Sequence, residues 1–305
     1  MKQKIIEVSG LRKAYGNVEA VCGLDFYVEE GQLFAFLGPN GAGKSTTIDI
    51  LCTLQRADAG HVTVDGYVLG REDDSIRSTI GAVFQDGVLD GLLTVEDNLK
   101  IRGSFYGLHG KSLDLAVERA AEITEIGELL KRPYGKLSGG QKRRCDIARA
   151  LIHTPKILFL DEPTTGLDPK TRRMIWKTIE QLRQQNGMTV FLTTHYMEEA
   201  AESDFVIVID KGKITAKGTP SEFREKYAKD RLILSSKEPE HLSKFLEENG
   251  FSCRRIADTV SIELPSTLDA LPILDICRER LTSVEIIGGT MDDAFLAVTG
   301  KELQE

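Results

Sequence analysis

The chain begins with short apolar runs broken by polar positions rather than with helical spacing. KIIEV (4–8) is one such run, and Leu24, Phe26 and Val28 alternate with polar or acidic residues, the period-two pattern of a half-buried strand. Glu29-Glu30-Gly31 marks a turn. LFAFL (33–37) is apolar at every position, which predicts a strand covered on both faces. A glycine-rich loop follows, and a helix is predicted from Thr46-Thr47-Ile48 onward. Between about 88 and 150 apolar residues recur at three and four, in LTVEDNLKIRGSFYG (93–107) and SLDLAVERAAEITEIGEL (112–129). Strand patterns return at ILFLDEP (157–163) and TVFLTT (189–194), with a helical stretch, RRMIWKTIEQLRQQ (172–185), between them. This alternation argues for a parallel sheet covered by helices, with 88–150 as a helical insertion between two of its strands.

VIVID (206–210) and KITAK (213–217) flank a Lys-Gly turn and predict a hairpin. Thr219-Pro220-Ser221-Glu222 has the form of a capping box with proline at the first helical position. The helix it opens reaches about Tyr227 and closes a first domain, 1–228. Beyond it, RLILSS (231–236), FSCRRI (251–256), TVSIEL (259–264) and SVEII (283–287) predict strands. EHLSKFLEENG (240–250), LDALPILDICRERL (268–281, starting near Pro272) and MDDAFLAVTG (291–300) predict helices. The order βαββαβ plus one helix predicts a small α+β domain, 229–305, of the ferredoxin-like plait type.

The 305 residues suit one large and one small domain. No apolar run approaches the ~18–20 residues of a membrane span, and MKQKIIEVSG lacks the apolar core of a signal peptide, so the cytosol is the expected compartment. Five scattered cysteines with no CxxC suggest neither zinc nor a disulfide framework. The net charge of −8 offers no basic footprint for nucleic acid. Lys142-Arg143-Arg144 is the one basic knot, and its plain reading is a solvated helix face.

Chemistry enters at Gly38-Pro39-Asn40-Gly41-Ala42-Gly43-Lys44-Ser45, which matches GxxxxGK[ST] after a buried strand and before a helix. Its glycines let backbone N–H groups converge on phosphate oxygens at a helix N-terminus. Lys44 is expected to reach the β- and γ-phosphates and Ser45 to hold Mg²⁺; Thr46 completes the nucleotide-binding set. ILFLDE (157–162) delivers two carboxylates at a strand end: Asp161 as Mg²⁺ partner, directly or through water, and Glu162 as the base that orients the attacking water. These two motifs alone fit a GTPase, a kinase or a helicase equally.

A second glycine turn separates them. Ser138-Gly139-Gly140-Gln141 places an N-cap serine and bare backbone at another helix start, chemistry suited to a γ-phosphate. The phosphate site in the same chain already has its own loop. The simplest geometry is a head-to-tail dimer in which Ser138 to Gln141 close over the ATP held by the other copy.

With LSGGQ (137–141) the sequence resembles the nucleotide-binding subunit of ATP-binding-cassette (ABC) transporters over about residues 1–225. The resemblance implies a P-loop, RecA-like ATPase core with an antiparallel β subdomain and the inserted helical subdomain, ATP and Mg²⁺ as cofactors, and a second copy and a multi-spanning membrane permease as partners. It implies further that Tyr15 stacks on adenine and that Gln85 contacts Mg²⁺ or water and links core to insertion. Asp168, in Gly166-Leu167-Asp168, is implied to communicate across the dimer, and His195 to touch the γ-phosphate. The expected location is the cytoplasmic face of the cell membrane, through the permease. FQDGVLDGLLTVEDNL (84–99), THYMEEAAESD (194–204) and TMDDAFLAVTGKEL (290–303) resemble drug-exporter subunits of the daunorubicin-resistance type. Related sodium-, lipid- and polysaccharide-export subunits share much of this pattern; an importer subunit and a soluble non-transport ATPase are the other readings. The C-terminal domain shows no chemistry and is read as a dimerisation element.

Overall fold

The first strands are longer than their apolar cores. In the computed structural model, which describes residues 3–300, β1 (Lys4–Tyr15) and β2 (Val18–Glu29) pair antiparallel along their whole length. The end of the exporter-like tail, Lys301 to Leu303, lies outside the described residues. β3 (Leu33–Leu37) is buried at all five positions, as its unbroken apolar run dictates. It leads through the glycine loop into α1 (Lys44–Leu51). That helix starts two residues before the expected Thr46, because Gly43 at φ 104° turns the chain directly into it.

Next come β4 (Ala59–Val64), β5 (Tyr67–Val68), α2 (Asp73–Thr79) and β6 (Ile80–Val83), short elements that periodicity did not single out. The insertion contains α3 (Val95–Phe105), α4 (Gly110–Ile123) and α5 (Gly139–Leu151). α4 stops well short of Leu129, since Glu125 turns to φ 52° and a single 3₁₀ turn, Gly127–Leu129, follows. β7 (Ile157–Asp161), α6 (Pro169–Asn186), β8 (Thr189–Thr194), α7 (Met197–Ala201), β9 (Phe205–Asp210) and β10 (Lys213–Gly218) complete this part. Lys211 and Gly212, both at positive φ, form the two-residue turn of the β9–β10 hairpin.

Among the described residues the strands form an antiparallel sheet, β2-β1-β4-β5, and a larger sheet, β10-β9-β3-β8-β7-β6, parallel from β9 to β6. The helical insertion lies between β6 and β7, neighbours in the sheet. Phe26, Phe34, Phe36, Phe159 and Phe191 meet in the core, with Phe34 and Phe191 centroids 5.0 Å apart. The insertion has its own apolar cluster around Leu99, Val117, Ile126 and Ala148.

By packing, the chain divides between Lys217 and Gly218. The expected boundary at 228 therefore moves: α8 (Pro220–Tyr227), capped by Thr219 as its sequence predicts, belongs to the second unit, where it packs on the last helix. That unit continues with β11 (Asp230–Ser235), α9 (Pro239–Glu248), β12 (Cys253–Ile256), β13 (Thr259–Leu264), α10 (Ala270–Cys277), β14 (Ser283–Ile287) and α11 (Met291–Thr299). The antiparallel order β12-β13-β11-β14 is the ferredoxin-like plait. Among the described residues no helix is long and apolar enough to cross a membrane.

One half-buried histidine gives the first unit a pH dependence. His153 stacks flat on Tyr106, with centroids 3.8 Å apart, and its Nε2 lies 2.9 Å from the Ile80 carbonyl. Burial pushes its pKa down to about 4, with Arg102 and Arg149 adding to the effect against the Ile80 bond. The unfolded chain takes up this proton near 6.5, before the folded one does, so stability falls as the pH drops from there towards 4. Urea midpoints at pH 7 and pH 5 should record about 1–2 kcal/mol of this loss, and His153→Phe should remove it.

Candidate active site

The register of the parallel sheet brings four strand ends to one edge. Leu37 pairs with Thr194, Asp161 with Thr193, and Val83 with Leu160. The glycine loop after β3, the carboxylates ending β7, His195 after β8 and Gln85 after β6 thus leave the sheet on the same side.

Sterics give the loop its glycines. A Cβ on Gly38 would stand 2.3 Å from the Ile209 carbonyl oxygen, and one on Gly43 2.4 Å from that of Ala20. Gly41 adopts φ 77° with open space around it. Pro39 accepts a hydrogen bond from Ala42 N–H at 3.2 Å, while Asn40 and Ser45 are exposed. Thr46 is half-buried on the first turn of α1. Lys44 is almost fully buried. Its Nζ donates to the carbonyls of Gly38 (2.7 Å) and Pro39 (3.2 Å) and lies 3.2 Å from Glu162 Oε1.

Asp161 Oδ1 accepts hydrogen bonds from Ser45 Oγ at 3.3 Å and from Thr193 Oγ1. Glu162 sits at φ 45°, a conformation few residues with a side chain adopt. Thr193 fixes it there, accepting from Glu162 N–H with its carbonyl (3.2 Å) and its hydroxyl (3.1 Å). Burial works against the charge of the Glu162 carboxylate, but Lys44 and then His195 outweigh it and hold its pKa below the usual range. Thr165 Oγ1 donates to Oε2 at 3.3 Å. His195 Nδ1 stands 3.3 Å from the same oxygen, without hydrogen-bond geometry, and its ring rests on Tyr196.

The second glycine turn is built as its pattern requires. Gln141 N–H donates to Ser138 Oγ at 3.4 Å, and Ser138 N–H to Gln141 Oε1 at 3.1 Å, a reciprocal cap on α5. Gly139 has open space, whereas a Cβ on Gly140 would meet Thr171 Cγ2 at 2.5 Å. Asp168 caps α6: Oδ1 accepts from the N–H groups of Lys170 and Thr171 (3.0 Å each), and Oδ2 from Thr171 Oγ1 (2.6 Å). So Ser138 and Gln141 bond to each other, and Gly140 lies close against Thr171 of α6. Tyr15, at the end of β1, is half exposed with the Lys13 ammonium 5.5 Å from its ring centre. Gln85 is exposed. The structure thus joins Lys44, Ser45, Asp161, Glu162 and His195 directly, while Tyr15, Gln85, Asp168 and the second turn stand apart from that group.

One reading needs correction. Arg143 is not on a solvated face: it is buried, and its guanidinium spans to the carbonyls of Pro163, Asp161, Glu162 and Phe84. The basic knot hid it, because periodicity places a residue on a helix but does not say what lies opposite. The buried Thr193 also escaped notice, since its strand reads as uniform core.

The comparisons with known proteins agree with this geometry. The family described as "ABC transporter" matches residues 21–165. The daunorubicin/doxorubicin resistance ATP-binding protein DrrA of Streptomyces peucetius is 38% identical, over 97% of this chain and 93% of its own length. The linearmycin resistance ATP-binding protein LnrL of Bacillus subtilis is 42% identical over 75% of this chain and 74% of its own. Among solved structures, the dimeric post-hydrolysis state of the ATP-binding cassette MJ0796 bound to ADP and Pi aligns with a TM-score of 0.65 at 28% identity, covering 70% of this chain and 98% of that one.

The close approach of Gly140 to α6 is testable. Gly140→Ala should cost about 1–3 kcal/mol in chemical denaturation, because Thr171 cannot move without breaking the Asp168 cap. Thr171→Ser, which deletes the clashing Cγ2 and keeps the hydroxyl, should recover part of that loss; an uncompensated double variant would show that the contact is not responsible.

Proposed function

Because the chain belongs to the ABC transporter family, as an ATP-binding subunit that hydrolyses ATP, we propose that two copies close head to tail over two nucleotides and power export through a separate membrane subunit. The head-to-tail reading is carried by one observation: the Ser138 turn is a finished helix start that packs on α6, with its bare glycine backbone at Gly139 facing open space. It is supported by the dimeric form of the related cassette MJ0796.

In this reading the N–H groups of the Gly38–Ser45 loop surround the phosphates, and Tyr15 lies against the adenine. Lys44 turns from the Gly38 and Pro39 carbonyls to the β- and γ-phosphates and releases Glu162. Ser45 and Asp161 already share a hydrogen bond, and a hydroxyl beside a carboxylate suits Mg²⁺. Ser45, Asp161 and Gln85 would hold the ion, which would offset the phosphate charge during hydrolysis. Glu162 orients the attacking water, and His195 contacts the γ-phosphate. Ser138 to Gln141 of the other copy cover the site, with Asp168 at the junction.

Names of relatives support the cargo class. Proteins conferring resistance to daunorubicin, doxorubicin and linearmycin match this chain, so a drug or antibiotic is the proposed export substrate. A second reading, export of a substrate of the Nod factor kind, rests on a Nod factor export ATP-binding protein of Ralstonia nicotianae, 42% identical over 72% of this chain and 68% of its own. The permease holds the chain at the cytoplasmic membrane face. A cytoplasmic helix of the permease would be received between core and insertion near Gln85 to Leu99.

Glu162→Gln should lower turnover by about 100-fold or more and trap an ATP-bound dimer in size-exclusion chromatography. Ser138→Arg should keep nucleotide binding by the monomer and abolish turnover; loss of monomer binding would place the second turn in its own chain's site. Tagged chain recovered from solubilised native membranes should bring a single multi-spanning subunit in equal amount. Two permeases with a solute-binding protein would indicate import instead.

A further inference from the structure

α5 carries Ser138 at its cap and Arg143 on its first full turn, facing the sheet. The guanidinium reaches four carbonyls on two segments. Nε donates to Pro163 at 2.8 Å, one terminal nitrogen to Asp161 (2.8 Å) and Glu162 (3.0 Å), and the other to Phe84. Three of these acceptors are consecutive peptides that bracket Glu162, and the fourth precedes Gln85.

Glu162 needs such a grip. At φ 45° its backbone is strained and persists only where the surroundings hold it. Thr193 holds the N–H side. The carbonyl side is held by Arg143. Burial disfavours the guanidinium charge, and Asp146, Asp161 and Glu162 nearby favour it. Only a planar group with donors on three nitrogens can serve all four carbonyls; a lysine ammonium, a point with three donors, cannot span them.

We infer that Arg143 is a positioning residue for hydrolysis, aiming the Glu162 carboxylate through the backbone carbonyls that bracket it. This inference rests on Glu162 being the group that orients the attacking water. Arg143 lies away from the glycine loop, so nucleotide binding should not depend on it, whereas a base displaced by about 1 Å loses about 100-fold in rate.

The experiment uses the purified full-length chain, with ATP turnover, ADP affinity and thermal melting measured together. Arg143→Lys should lower kcat by about 100-fold while KM and ADP affinity stay within about twofold of wild type. Adding Arg143→Lys to Glu162→Gln should lower the residual rate no further, because the residue acts through Glu162. If Arg143→Lys does not fold, Arg143→Ala should regain turnover with added methylguanidinium but not with methylammonium. Wild-type kcat in Arg143→Lys, an equal further loss in the Glu162→Gln background, or equal response to the two cations would overturn the positioning role. Wild-type turnover of Glu162→Gln alone is a different failure: it removes the base assignment and with it the group that Arg143 is said to aim.

Discussion

Everything at the sheet edge depends on the pairing of β7 with β8. That register sets Asp161 beside Thr193, and the Thr193 hydroxyl then holds both acidic residues at once, donating to the Asp161 carboxylate and accepting from the Glu162 N–H. The chain beyond Asp161 turns through a left-handed residue instead of running on, which directs the Glu162 side chain back to Lys44 and His195. A shift of one residue in this pairing would send Asp161 to the other face of the sheet, away from Ser45.

The polar links of the insertion follow from the same constraint. The insertion has an apolar cluster of its own around Leu99, distinct from the one around Phe34, and polar groups add directed contacts to the sheet. Arg143 reaches the carbonyls around Glu162 and Arg149 the Ala82 carbonyl, while within the insertion Tyr134 OH donates to Asp146 Oδ2 on α5 at 3.0 Å. Burial raises the pKa of both Tyr134 and Asp146.

The sequence was most readable where local chemistry dictates conformation. LFAFL, the glycine loop, ILFLDE and the Ser138–Gln141 cap each carry their own signal, and the plait of the second unit followed from the order of its runs. β4, β6 and α2 were missed because they are short, and the first half of β4 is exposed. The domain boundary shifted because a cap shows where a helix begins and not what it packs on. Arg143 was misread for a deeper reason. On α5 every residue from Cys145 to Leu151 is buried, so the helix has little solvent face left, a property its partners impose and its own pattern does not display.

The strand order also bears on how the chain is made. β3, all apolar, has β8 and β9 as its neighbours in the sheet, and those begin at Thr189 and Phe205. A nascent chain therefore carries LFAFL without a partner strand until more than half of the protein has left the ribosome. Pairing across such separations is slow, and an unpaired apolar strand is a site of misassociation. The nucleotide loop, hung on that strand, acquires its frame only when the far side of the sheet arrives, so a truncated chain ending before Thr189 would hold the loop sequence without the sheet that shapes it.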